Sequence, residues 1–173
     1  MNVIDVAAAA RDQRARSAAA VRYRPRQGVD DFVRQLGNTT PLQMVATERH
    51  GVPGRFIKDL SRRMDMPSAR MFTMLGVPRA TGVMKAASSE LLSGHGGQAA
   101  IGVARLLGLA QNLVAESTAP AAKDFDAAKW LGRWLEQPQP ALGGHRPADL
   151  IDTPTGLDIV GRLLGSLASG AHQ

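Results

Sequence analysis

Residues 98–115, QAAIGVARLLGLAQNLVA, are apolar on most sides of a helix drawn through them. A helix of that kind belongs at the centre of a core or under an oligomeric partner, not on a surface. Amphipathic spacing recurs around it. Phe56, Ile57, Leu60 and Met64 follow a helical period, as do Phe125, Ala128, Leu131 and Leu135. Leu157, Val160, Leu163, Leu164 and Leu167 line one face of a last helix. Leu42, Val45 and Ala46 share a face of a segment opened by Pro41. No alternating pattern of useful length points to strands, so the expected fold class is all-α.

Turn residues separate these segments. HGVPG ends the Pro41 segment, SGHGG at 93–97 is a break, and ESTAPAAKD is a hinge-like connection. Thr153 is placed to cap the last helix, Pro154 suits its first turn, and Gly170 is a natural stop. With aromatics at 4%, the core has to be built from Leu, Ala, Val and Met. Trp130 and Trp134 stand four apart, as core residues or as interface anchors. Three regions follow: an Ala/Arg-rich arm over 1–40, disordered or partly helical; a helical region over 41–116; and a second helical region over 121–173.

Charge is uneven. Residues 1–40 carry a net of +3, residues 41–111 a net of +5 and residues 112–173 a net of −2. Different partners for the two halves are one reading; ordinary surface variation is the other. The six arginines from Arg11 to Arg26 make either a basic arm or a solvated tail.

Little in the chain suggests catalysis. Cysteine is absent, which removes thiol chemistry and fits a reducing cytoplasm. His50, His95, His145 and His172 have no metal-ligand spacing. No run approaches the ~18 apolar residues of a membrane span, and the first residues lack the order of a signal peptide. The expectation is a cytoplasmic binding protein that needs no cofactor and no metal.

PSARMFTMLGVPRATGVMKAA, residues 67–87, has the rhythm of a helix-turn-helix, with Gly76 in the left-handed turn position and Val77 plugging the corner. Candidate base contacts are Arg79, Thr81 and Lys85; candidate phosphate contacts are Arg62, Arg63 and Arg70. Four positions depart from the pattern. Phe72 stands where a small residue is usual, Gly82 interrupts the second helix at a cost of about 1 kcal/mol relative to Ala, and Val83 and Met84 replace residues that could reach bases. On sequence alone that helix reads as a poor DNA reader, and the motif is either a DNA-binding unit or one kept only for packing. A stand-alone DNA-binding regulator and a purely structural helical interaction module are the rival readings of the chain.

AAKWLGRWLEQPQPALGGHRPADLIDTPTGLDIVGRLLGSLASG resembles the toxin-binding domain of the Xre/MbcA/ParS antitoxin family. The residues carrying the likeness are Trp134, Leu135, Pro138, Pro140, Ala141, Leu142, Gly143, Gly144, Pro147, Leu150, Thr153, Gly156 and Gly170. The segment from Pro41 is similar, more loosely, to the family's Xre-like region. The resemblance implies a type II antitoxin whose partner is a RES-domain toxin acting on NAD, neutralised by covering the NAD site. It also implies a homodimer and operon repression through operator DNA. Expected toxin contacts are the exposed members of the region: Arg133, His145, Arg146, Arg162, Ser169, Gly170, Ala171, His172 and Gln173.

Overall fold

The computed structural model describes residues 19–87, 90–117 and 120–168. Its elements, in chain order, are α1 (Gly28–Gly37), α2 (Pro41–His50), β1 (Val52–Pro53), α3 (Gly54–Arg63), α4 (Ser68–Met74), α5 (Arg79–Ala87), β2 (Leu91–Leu92), α6 (Gly94–Glu116), α7 (Ala127–Leu135) and α8 (Pro154–Ala168). The fold is all-α. β1 and β2 make only a two-residue antiparallel ladder, Val52 opposite Leu92 and Pro53 opposite Leu91, too short to leave a period in the sequence. Among the described residues, no helix is long and apolar enough to cross a membrane.

α6 is the axis. Ala99, Ala100, Ile101, Val103, Ala104 and Leu107 are buried on every side of its middle turns. α1, α2, α7 and α8 all pack on it. Small residues let them come close. A Cβ at Gly102 would collide with Leu157 of α8. Around the axis Phe56, Ile57, Leu60 and Met64 close the core as their spacing predicts. Each fully buried side chain of this size is worth about 1.5–3 kcal/mol.

The packed core starts before Pro41. Residues 28–37, assigned by composition to an arm, form α1, with Val29, Phe32, Val33 and Leu36 buried. Tyr23 joins Phe32 and Phe56 with ring centroids 4.8–5.5 Å apart. Its hydroxyl donates to Asp59 at 2.8 Å. Burial, and that carboxylate, push the phenol well above its ordinary pKa. The Val21 N–H donates to Thr47 Oγ1 at 2.9 Å. Three aromatics brought together from residues 23–56 outweigh a polar local composition, which is why composition misplaced this segment. Residues 1–18 lie outside the described residues.

α2 turns its expected apolar face outward. Thr40 and Gln43 form a capping box at its start. Its buried residue is Thr47, while Leu42 is 68% and Val45 41% exposed.

α4 and α5 are joined by residues 75–78, with Gly76 at φ +66° and Val77 buried. Only a residue without Cβ takes that conformation freely. The departures at Phe72 and Gly82 prove to be one feature. Phe72 is buried, and a Cβ on Gly82 would lie 2.6–2.8 Å from its ring carbons. The large residue in α4 and the missing side chain in α5 have exchanged places across the contact, so α5 packs closely in spite of its glycine. Gly82→Ala should therefore destabilise the protein. The gain of about 1 kcal/mol in helix propensity is outweighed by overpacking of about 1–3 kcal/mol against a ring with no room to move. Denaturant unfolding should show that loss, and Phe72→Leu in the same chain should recover part of it.

Candidate partner-binding surface

The C-terminal surface is built on α7. Asp126 caps this helix, its carboxylate accepting from the N–H groups of Ala128 at 3.1 Å and Lys129 at 3.2 Å. Ala128, Leu131 and Leu135 are fully buried, and Trp134 nearly so. Trp134 stacks with half-buried Trp130 at 5.9 Å, and Trp130 meets exposed Phe125 at 6.0 Å. One tryptophan is thus core, and the other leads to an aromatic edge at the surface.

Two arginines of the preceding helices bracket α7. Arg63 at the end of α3 donates to the cap Asp126 at 2.7 Å and to Asp30 of α1 at 2.9 Å. Gln111 of α6 also donates to Asp30, at 2.7 Å. At the other end, Arg70 of α4 forks onto Glu136 at 2.6 and 3.0 Å. Between these clips the helix presses on the α3–α4 corner at Gly132, where a Cβ would collide with the Met64 carbonyl oxygen. Burial works against the charge on Asp126, but Arg63 and the capping N–H groups overcome it and hold its carboxyl below the usual range. Burial likewise opposes the charge on Arg63, and its two carboxylates overcome it.

After α7 the chain makes a projection. Pro140–Leu142 form a 3-10 turn, Gly143 and Gly144 take left-handed angles of +63° and +84°, and Pro147–Asp149 form a second 3-10 turn. The bend closes on itself. Gln139 N–H donates to the His145 carbonyl at 3.1 Å, and Gly144 N–H to the Gln139 carbonyl at 3.0 Å. Leu142, Pro147 and Ala148 face the core, while Pro140, Ala141, Gly143, Gly144 and His145 are exposed. Thr153 then caps α8 as expected, accepting from Gly156 N–H at 3.0 Å. Gly156 is needed because the Leu150 carbonyl occupies the space of a Cβ. The Thr-x-x-Gly spacing is therefore one cap and one close approach.

The fifteen candidates fall into two groups, and ten of them lie among the described residues. Arg133 and His145 are exposed, and Arg162 is exposed in an ion pair with Asp158 one turn earlier. Arg146 is engaged inside the projection, with bonds of 2.8 and 2.9 Å to Asp149 and a longer one of 3.4 Å to Glu136. Ser169, Gly170, Ala171, His172 and Gln173 lie outside the described residues. On the other candidate surface, Arg62 is 77% exposed and 3.5 Å from Asp59. Arg63 and Arg70 both hold carboxylates and would have to release them to meet phosphate. Arg79 opens α5, Thr81 is half-buried, and Lys85 donates to the Leu91 carbonyl at 3.0 Å. Among the described residues, no group of three acids or histidines is placed to hold a metal ion.

Asp126, Glu136, Gly132 and Asp149 were not singled out from the sequence. Their partners lie 66 positions away in the case of Arg70 and Glu136, a separation that leaves no local signal. Gly132 did leave one, since a glycine inside an apolar helix usually marks a close packing contact.

Residues 122–170 match the antitoxin Xre/MbcA/ParS C-terminal toxin-binding domain. The chain is also 35% identical, over 136 residues, to the "Prs ADP-ribosylating antitoxin" of Sphingobium sp. (strain YBL2), an alignment covering 79% of this chain and 84% of that protein. The chain belongs to the Xre/MbcA/ParS antitoxin family. It is the antitoxin of a toxin–antitoxin system, and α7, the projection and α8 make up its toxin-binding domain.

The clips on this antitoxin's toxin-binding domain should be acid-labile. The carboxyls of Asp126 and Asp149 are both depressed in the folded state, Asp149 chiefly by the Arg146 hydrogen bonds. Their stabilisation is therefore complete above the ordinary aspartate value of about 3.9 and is lost as pH falls through the lower folded values. Tm should drop below about pH 4. Asp126→Asn should lower Tm at neutral pH and flatten its dependence across the acid window. An unchanged acid slope in that variant would show that Asp126 is not held by Arg63.

Proposed function

We propose that this antitoxin neutralises a RES-domain toxin acting on NAD by covering the toxin's nucleotide site with its C-terminal domain. The observation that carries this reading is the coincidence of the family's toxin-binding domain, residues 122–170, with an exposed surface. That surface comprises the projection, Arg133 and the outer face of α8. The relative's name associates it with ADP-ribosylation, and NAD is the chemical source of ADP-ribose. A bend closed by its own hydrogen bonds and two prolines meets a partner with little ordering cost. In this reading Arg133, His145 and Arg162 are contacts, the tail from Ser169 to Gln173 reaches the NAD entrance, and the pair acts in the cytoplasm.

The test is co-expression with the product of the adjacent gene, followed by purification of the complex and assay of NAD consumption. The expected result is a stable complex whose NAD turnover is at least about tenfold below that of the free toxin, the factor that 1.4 kcal/mol of binding preference represents. Deleting residues 169–173 should restore turnover while leaving the complex assembled. A toxin as active in the complex as alone would rule out occlusion.

A second role, repression of the operon by a homodimer, is favoured by the close fit of Gly82 against Phe72, which gives α5 the packing a recognition helix needs. Exposed Leu42 and Val45 offer apolar area for a dimer contact. Operator affinity should fall with salt at a log–log slope of about −0.9 per phosphate neutralised. Arg79→Ala should weaken binding to operator and leave the toxin complex intact. Operator binding that is indifferent to Arg79 would remove α5 from the interface.

A further inference from the structure

We infer that Arg70 is a positioning residue for toxin binding: from α4, outside the toxin-binding domain, it holds both ends of the projection and sets the direction in which the projection faces the toxin. This inference rests on the toxin-binding reading above.

The projection leaves α7 after Glu136 and returns to the core at Pro147 and Ala148, beside Asp149. Arg70 reaches both feet. It forks onto Glu136 at 2.6 and 3.0 Å, and its Nη2 lies 3.6 Å from Asp149. Arg146, within the projection, touches the same two carboxylates. Two cations and two anions thus form a closed quartet. Of the four, Arg70 comes from outside the segment and ties the quartet to α4. The bend needs no help to keep its internal shape, since its hydrogen bonds run between Gln139, Leu142, Gly144 and His145. Leu142, Pro147 and Ala148 seat the bend on the core, and the fork adds a polar tie from its feet to α4 that fixes its orientation there.

Charge and geometry both matter here. Without Arg70, two carboxylates share one guanidinium, and like charge at the feet pushes them apart. Lysine restores the charge but not the planar fork that meets both oxygens of one carboxylate. The four side chains are 27–43% exposed, so the quartet is screened and contributes modestly to global stability. Its effect is local. Loss of Arg70 should therefore appear in the projection and in toxin binding before it appears in the core.

The experiment uses the full chain and the adjacent-gene toxin, with Arg70→Met, Arg70→Lys, Glu136→Gln and the Arg70→Met/Glu136→Gln double variant. Amide hydrogen exchange compares residues 137–150 with α6, and dissociation of the toxin complex is timed. In Arg70→Met, exchange should quicken over 137–150 and stay unchanged in α6. The complex should dissociate about tenfold faster, with Arg70→Lys between that value and wild type. The double variant should be no worse than Arg70→Met, because both changes open one clip. Additive losses would mean that Arg70 touches the toxin itself and would overturn the positioning role. Unchanged exchange and unchanged dissociation would overturn it equally. If Arg70→Met fails to fold, Asp149→Asn opens the same quartet from the other foot and is read in the same way. If wild type forms no complex with the toxin, the toxin-binding reading fails, while the exchange contrast still decides whether Arg70 holds the projection.

Discussion

A helix apolar on nearly every side has to be enclosed, and α6 sets that condition for the whole chain. Its middle turns offer Ala99, Ala100, Val103 and Ala104 to neighbours on opposite sides. Small side chains let the neighbouring helices approach closely, and dispersion and water exclusion both gain from the close fit. The residues read as a helical region and those read as a second region therefore share one hydrophobic cluster. The toxin-binding domain is a recognisable segment of sequence, but it is seated on the same axis as everything before it.

Backbone contact through glycine recurs where elements meet. Gly82 accommodates the Phe72 ring, Gly132 the Met64 carbonyl, and Gly156 the Leu150 carbonyl. In each case a methyl group would occupy space already filled by a ring or a main-chain oxygen. All three stand within helices, Gly156 in a first turn and the other two in the interior, where propensity alone argues against them. Their presence shows tertiary fit overriding local preference, and it turns what looked like a weakened recognition helix into a packed one.

Arginine carries the second theme. A basic count over residues 41–111 suggests phosphate contact, yet Arg63 and Arg70 spend their charge on Asp126 and Glu136. Composition records how many cations a region has, not where their partners lie. The acidic partners sit in the C-terminal region, so the charge asymmetry between the two halves is partly an internal complementarity. The two clips fix α7 at both ends, one of them at the foot of the projection.

Much of this protein was legible in its sequence. Helical periodicity gave α3, α6, α7 and α8, because burial of one face imposes a period that survives in any sequence that folds this way. The cap at Thr153 and the bend at Gly143 and Gly144 were legible too, since both are determined within a few residues. The family likeness followed from the same local features. Other features belonged to tertiary structure alone: the inclusion of Tyr23 and α1 in the core, the outward turn of Leu42 and Val45, the exchange between Phe72 and Gly82, and the assignment of Arg63 and Arg70 to internal carboxylates. Each depends on groups far apart in the chain, or on which side of a helix the core happens to lie. Sequence determines which residues are able to interact; only the folded arrangement of helices around α6 decided which of them meet.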